Sequence, residues 1–167
     1  MKLNSILICI IFSMFIIGCA HQFEDPLESR AEYEFGVMEY EVIETYDKQS
    51  DVAGKRSFGE IQKIRSGSKI KIQQGRTFGI QFNVPKTFNG QGVSVKQIVE
   101  FPNGGLINPT TKRVSKRIEL EDIEYEFEEP FHLAYILDQP WEMKKGKWTF
   151  SVFLNNQKYI EHEFTLY

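Results

Sequence analysis

Cysteine is almost missing from this chain: Cys9 and Cys19 are the only two, and no thiol follows residue 19. Everything beyond that point lacks the means to form a disulfide, a cysteine-ligated zinc site, an iron-sulfur centre or a thiol nucleophile. Histidine is scarce as well. His21, His132 and His162 are far apart and in no ligand spacing, so histidine-bound metal is not expected. Past the first 30 residues no long segment carries apolar residues at i, i+3, i+4 and i+7, which removes amphipathic helices from consideration. No Gly-x-Ser-x-Gly elbow occurs, and Gly90-Gln91-Gly92-Val93 lacks the third glycine and the following helix that cradling a phosphate requires. A basic excess is absent too: the net charge is −3, which argues against nucleic acid and against a broad polybasic membrane patch. With no catalytic constellation in the sequence, the expectation is a protein that is not an enzyme and holds no cofactor.

The only long apolar run is at the start. Residues Ile6 to Ile17 are apolar except for Ser13, about a dozen residues where a bilayer-spanning helix needs about 20. A basic Lys2, an apolar stretch of that length and a small residue before a cut site mark a secretory signal peptide. Its last residues, Ile16, Ile17, Gly18 and Cys19, resemble the lipobox of bacterial lipoproteins. That resemblance implies removal of residues 1–18 and a diacylglyceryl thioether on Cys19, whose new amino group takes a further acyl chain. One chain anchors marginally and several hold tightly, because each buried methylene contributes about 0.8 kcal/mol. Localisation in the bacterial envelope follows, and Ala20 rather than Asp after the cysteine fits the outer membrane where the host has two. Residues 19–33, polar around Pro26, read as the lipidated cysteine and a tether, and residues 34–167 as one domain.

Removing the leader takes away Lys2 and no acid, so the mature charge moves from −3 to −4. The 149 residues left suit one domain with a real core, and the 14 phenylalanines supply that core without disulfides.

Alternation dominates the domain. Phe78, Ile80, Phe82 and Val84 share one face of a strand that Pro85 ends; Val93, Val95, Val99 and Phe101 share another before Pro102, Gly104 and Gly105. Met38, Tyr40 and Val42 make an earlier strand. Between residues 113 and 127 the apolar phase shifts from Ile118/Leu120 to Ile123/Tyr125/Phe127, which predicts a bulge or bend near Asp122. Trp148, Phe150, Val152 and Leu154 alternate up to Asn155 and Asn156, and Ile160, Phe164 and Leu166 alternate back, predicting a hairpin. About seven to nine strands at this spacing suit an all-β, antiparallel two-sheet sandwich, with a barrel as the alternative.

Gly75, Phe78-Gly79-Ile80 with Phe82, Phe101-Pro102, Pro109, and Gly146 with Trp148, Phe150 and Val152 resemble a family of uncharacterised bacterial exported domains with an immunoglobulin-like fold. The resemblance covers most of residues 36–167 and implies a fold, not an activity or catalytic residues.

Four groups remain as candidates. His162, between Ile160 and Phe164 on one face, reads as a ring packed at the inner rim. Glu124, Glu126 and Glu128, with Glu119 and Glu121 before them, form an acidic row. Its side chains are spaced about 7 Å apart along a strand, poor geometry for calcium, so it reads as a solvated face. Lys63, Arg65, Lys69, Lys71 and Arg76 form a basic cluster, either a plain charged surface or cross-strand partners of the acidic row. Phe131, Tyr135 and Trp141, near Pro130 and Pro140, are candidate anchors for an envelope protein or glycan, with a cover over the sandwich end as the plainer role. The expected function is a lipid-anchored binding or interaction module. A carrier of a small ligand or cation is the alternative, and a hydrolase built on paired carboxylates is the third.

Overall fold

The computed structural model describes residues 31–47, 55–85, 92–122 and 130–167. Within them lie β1 (Tyr33–Asp47), β2 (Lys55–Ser66), β3 (Lys69–Ile70), β4 (Thr77–Phe82), β5 (Val95–Glu100), β6 (Leu106–Ile107), β7 (Val114–Ser115), β8 (Arg117–Asp122), β9 (Phe131–Ile136), β10 (Gly146–Leu154) and β11 (Gln157–Leu166). A single 3-10 turn, Pro140–Glu142, interrupts them. One sheet runs β2-β1-β4-β9 and the other β3-β11-β10-β5-β8, with β6 and β7 paired as a separate finger. The pairings are antiparallel except for β3 beside β11.

The predicted alternation becomes a shared core. Phe78, Ile80 and Phe82 from the four-stranded sheet and Trp148, Phe150, Val152 and Leu154 from the five-stranded sheet are buried in one cluster. Phe78 meets Trp148, Phe150 and Phe164 across the gap with ring centroids 5.7, 5.4 and 5.3 Å apart, tilted or edge-on as aromatic quadrupoles prefer. The two-layer arrangement is therefore a sandwich. Two of the buried polar tips find partners: Trp148 Nε1–H donates to the Lys144 carbonyl at 3.1 Å and the Tyr159 hydroxyl to that of Asn83 at 2.9 Å. Asn155 and Asn156 take φ of 47° and 64°, the double left-handed geometry of a two-residue hairpin turn.

The strand expected at Met38, Tyr40 and Val42 is part of β1; there Tyr33, Phe35 and Val37 pack on the core cluster, while the expected three lie on the opposite face, Met38 buried and Val42 exposed. In β11 a register shift opposite Val152/Phe153 leaves Tyr159 buried beside Ile160, a bulge that the alternation did not announce. Ala31 and Tyr33 already pack on the core, so the domain begins before residue 34. The leader, Cys19 and the tether to residue 30 lie outside the described residues, as do residues 123–129 with the expected phase shift.

Candidate functional site

β1 is 15 residues long, but β4 pairs only with Tyr33 to Met38. From Glu39 to Asp47 it pairs with β2 alone, as a two-stranded ribbon extending past the sheet. Inside the sheet, Gly36 sits between Gly79 of β4 and Ser66 of β2 with φ +147°, and a Cβ there would lie 2.0 Å from the Arg65 carbonyl oxygen, so only glycine fits. The Tyr40 hydroxyl sits 3.1 Å from Nε2 of His132 on β9, two strands away, so the ribbon leans over the outer face of the sheet. Burial lowers the pKa of His132 and raises that of Tyr40. Beyond this strap the ribbon is open to solvent, with Val42 46% and Ile43 69% exposed.

The register locates these two residues at an irregularity. Val42 pairs with Gly59 and Glu44 with Phe58, leaving Ile43 without a cross-strand partner in the ladder. The segment Ala31 to Asp47 holds six acids and neither Lys nor Arg. Glu41 lies directly opposite Glu60, a like-charge pairing that disfavours the ribbon on its own. Glu39 meets Arg65 at 3.8 Å with both side chains more than half exposed, and Gln62 donates to Glu41 at 3.3 Å. Such contacts stabilise little in water. The ribbon thus sets an acidic strand, β1, beside a strand, β2, that carries Lys55, Arg56, Lys63 and Arg65, with Val42 and Ile43 exposed between the charges.

A second exposed pair lies on the finger, where Ile107 and Val114 are cross-strand partners and 52% and 57% exposed. Asn108 closes the finger: its Oδ1 accepts from the backbone N–H of Thr110 at 2.9 Å and of Thr111 at 3.3 Å, and its carbonyl from that of Lys112 at 2.8 Å.

The candidate aromatic anchors are elsewhere. Tyr135 is 6% exposed and belongs to the core, 5.0 Å from the Trp148 ring, so it is not a surface anchor. Phe131 stacks on Phe82 at 5.7 Å, and it and Trp141 are half-buried against the same core. The reason is strand phase: odd residues of β9 point inward, and the 3-10 turn folds Trp141 back over them. These residues cover the sandwich rather than form an exposed patch.

Glu142, 1% exposed, accepts the backbone N–H groups of Asp138 and Gln139 at 2.9 and 2.8 Å. Burial raises its pKa despite those bonds. The Tyr135 hydroxyl has no hydrogen bond of ordinary geometry among the described residues, yet Glu142 is close enough that its charge adds to burial in raising the phenol well above its usual value. Geometrically this carboxylate is a cap for the turn.

His162 does pack at the inner rim, with its ring 4.0 Å from Phe35 and 4.7 Å from Phe164. Its Nδ1 is 3.2 Å from the Tyr33 hydroxyl and its Nε2 3.0 Å from that of Ser68. Burial lowers its pKa, so the ring is neutral at pH 7. A hydroxyl, an imidazole and a second hydroxyl in line invite comparison with a nucleophilic triad, but the third group is a phenol rather than a carboxylate and gives an imidazolium no charge stabilisation. The arrangement ties β1 and the β2–β3 loop to β11.

Among the described residues no three His, Cys, Asp or Glu converge to hold a metal. Glu119 instead binds Lys96 and, at 3.0 Å, Arg117; the Lys96 hydrogen bond is the main reason its pKa is lowered. The rest of the acidic row from residue 123 lies outside the described residues. The basic cluster is not Glu119's partner: Arg65 pairs with Glu39, and Arg76 donates to the Lys71 carbonyl and the Gln73 side chain, closing its own loop.

A family model described as a domain of unknown function, DUF3859, matches residues 27–166. No curated protein matches. Among solved structures, an immunoglobulin-like protein (PA1606) from Pseudomonas aeruginosa superposes with a TM-score of 0.60 at 18% identity, covering 81% of this chain and 92% of that one. The fold is thus immunoglobulin-like. A DNA-bound alkylpurine DNA glycosylase, AlkC, from Pseudomonas fluorescens matches at a TM-score of 0.32 and 12% identity, over 59% of this chain and 27% of that one, too slight a likeness to carry an argument.

Proposed function

The chain belongs to the DUF3859 family, a domain of unknown function with an immunoglobulin-like fold, and we propose that it works as a lipid-anchored interaction module of the bacterial cell envelope. The observation that carries this reading is the β1–β2 ribbon, which exposes Val42 and Ile43 where the sandwich gives β1 no second neighbour. Two adjacent aliphatic side chains in water forgo burial that a partner would supply, at about 25 cal/mol per Å² of apolar surface. The lipobox-like Ile16-Ile17-Gly18-Cys19 supplies the anchor, and the tether before Ala31 lets the domain reach its partner from the membrane.

The anchor and the binding surface are tested separately. Labelling with an alkyne-tagged fatty acid in expressing bacteria should mark the protein and be lost with Cys19→Ser; an unlabelled wild-type protein overturns the anchor. A photo-crosslinking amino acid at Ile43 should capture a discrete adduct that the same group at Lys147, exposed on β10, does not. Equal or absent capture at both positions overturns the ribbon as the binding surface.

A further inference from the structure

The β6–β7 finger is seated on the sandwich by Leu106, which is buried in the core cluster, while Ile107 and its cross-strand partner Val114 face solvent. Asn108 holds the connecting loop, so this aliphatic pair stands on a fixed support. Positive charge gathers around it. Residues 102–117 contain Lys112, Arg113, Lys116 and Arg117 and no acid. The segment after the 3-10 turn adds Lys144 and Lys145, and Lys144 reaches the finger itself, its Nζ donating to the Gly105 carbonyl at 2.6 Å. Neighbouring acids do not neutralise this excess. Glu119 is committed to Lys96 and Arg117, Glu163 to Lys147, and Glu142 is buried on the backbone N–H groups of its own turn; Glu100 lies opposite Arg117 in the ladder. The acid-rich sequence after β8 starts from Asp122, opposite Val95, at the far end of that strand. Arg113 is already engaged, but Lys112, Lys116 and Lys145 have no carboxylate partner among the described residues. A net charge of −3 speaks against a broad basic patch and leaves room for a local one.

We propose that the finger docks on an anionic phospholipid surface, a membrane contact separate from the ribbon and from the N-terminal anchor. Ile107 and Val114 enter the boundary between headgroups and acyl chains, while Lys112, Lys116, Lys144 and Lys145 lie at the level of the phosphates with their methylene stems beside the aliphatic pair. The combination selects the occupant. A soluble anionic polymer engages the lysines and leaves both aliphatic side chains in water, and a neutral apolar partner leaves the lysines unpaired. An anionic bilayer takes up both. Each lysine close to such a surface strengthens binding about fivefold, and salt weakens it. Tyr33, where the chain enters the sandwich, pairs with Phe82 beside Tyr159, near the Asn155-Asn156 turn, whereas the finger leaves Phe101 beside Trp148 at the start of β10. The nine residues of β10 separate these two ends by about 27 Å. The chain from Cys19 to Ala31 extends at most about 40 Å, so a membrane that holds the N-terminus is also within reach of the finger. Contact at both ends lays the domain along the membrane instead of letting it stand away.

The test uses full-length protein with an environment-sensitive fluorophore on Ile107→Cys, or on Ile43→Cys as a second exposed aliphatic site; the wild-type chain, with no cysteine after residue 19, gives the background labelling. Each is reconstituted into vesicles of phosphatidylcholine alone and of phosphatidylcholine mixed with phosphatidylglycerol, so that lipid composition reads the finger whatever holds the N-terminus. Emission at residue 107 should shift to the blue and be quenched by nitroxide-bearing acyl chains on the mixed vesicles, several-fold more than on phosphatidylcholine alone and more than at residue 43. Adding Lys112→Gln and Lys116→Gln should weaken the contact by on the order of twentyfold, read as loss of that signal. Val114→Ser should reduce the quenching and leave the salt dependence. Unchanged thermal midpoints of the variants establish that all are folded. No change at residue 107 on the mixed vesicles, an equal change on phosphatidylcholine alone, an equal change at residue 43, or a change indifferent to the lysine substitutions overturns the proposal. None of these outcomes touches the ribbon, which stands or falls on the crosslink at Ile43 in cells.

Discussion

In the β10–β11 hairpin, Trp148, Phe150, Val152 and Leu154 are wholly buried, and both strands of the pair have further neighbours, β5 on one side and β3 on the other. In the β1–β2 hairpin, by contrast, the stretch beyond Met38 has one partner strand, a like-charge pair in its ladder and two aliphatic residues in water. Both are long antiparallel hairpins with the same backbone hydrogen bonding. Isolated hairpins are marginal in water, so what separates them is the second layer: the C-terminal hairpin contributes Trp148, Phe150, Val152 and Leu154 to the core, and among the described residues the ribbon is fastened at its base and by Tyr40 on His132. Stability is concentrated in one, and the binding proposed above falls to the other.

The largest expected effect breaks the C-terminal side. Phe150→Ala deletes a ring that packs 5.4 Å from Phe78 and 5.0 Å from Phe164, and should cost about 3–5 kcal/mol in urea denaturation. A loss below about 1 kcal/mol would mean that the two sheets do not share this core.

Next comes the seam between the hairpins. His162 on β11 is held neutral, below its ordinary pKa of 6.5, between Tyr33 of β1 and Ser68. In the window under 6.5 the unfolded chain binds more protons than the folded one, so stability rises with pH and is lost as pH falls. His132 shifts in the same direction and adds to the slope; Glu142, raised from 4.5, has the opposite sign, its stability lost as pH rises through its folded pKa. His162→Gln should cost about 1–2 kcal/mol at pH 7.5 and flatten the rise in unfolding midpoint between pH 5 and 7.5. A slope as steep as the wild type's would assign the effect to His132.

How much of this was readable in advance follows the same division. The C-terminal hairpin was legible because its alternation is local and uninterrupted, and Asn155-Asn156 names its own turn. β1 was legible as a strand but not by face: Tyr33, Phe35 and Val37 compete with Met38, Tyr40 and Val42 for the inward side, and the position of the other sheet decides. His162 was legible as a rim residue, but its partners stand 94 and 129 residues away, a proximity that only the fold creates. Tyr135 was misread as an anchor because the stretch between Pro130 and Pro140 reads as a loop by its prolines, whereas it forms β9, whose alternation turns Tyr135 into the core.

A smaller effect sharpens the turn. Asn156→Ala at φ 64° should cost about 1 kcal/mol, and Asn156→Gly close to nothing, in paired thermal melts. Equal losses for both would show that the Asn side chain, not its backbone conformation, secures the hairpin.

The smallest expected change in stability is on the ribbon, and it decides the comparison. Ile43 has no ladder partner and is mostly exposed, so Ile43→Ser removes little buried surface and should leave the unfolding midpoint within the equivalent of about 0.5 kcal/mol. Val42→Ser should behave alike, since Gly59 across the ladder offers it no side chain. The same substitutions should nevertheless reduce capture of a partner at a photo-crosslinker placed on neighbouring Glu44, because the apolar contact is lost while the acids remain. A stability loss above about 1 kcal/mol would make these residues part of the fold's own packing, and the ribbon would then be a second structural hairpin.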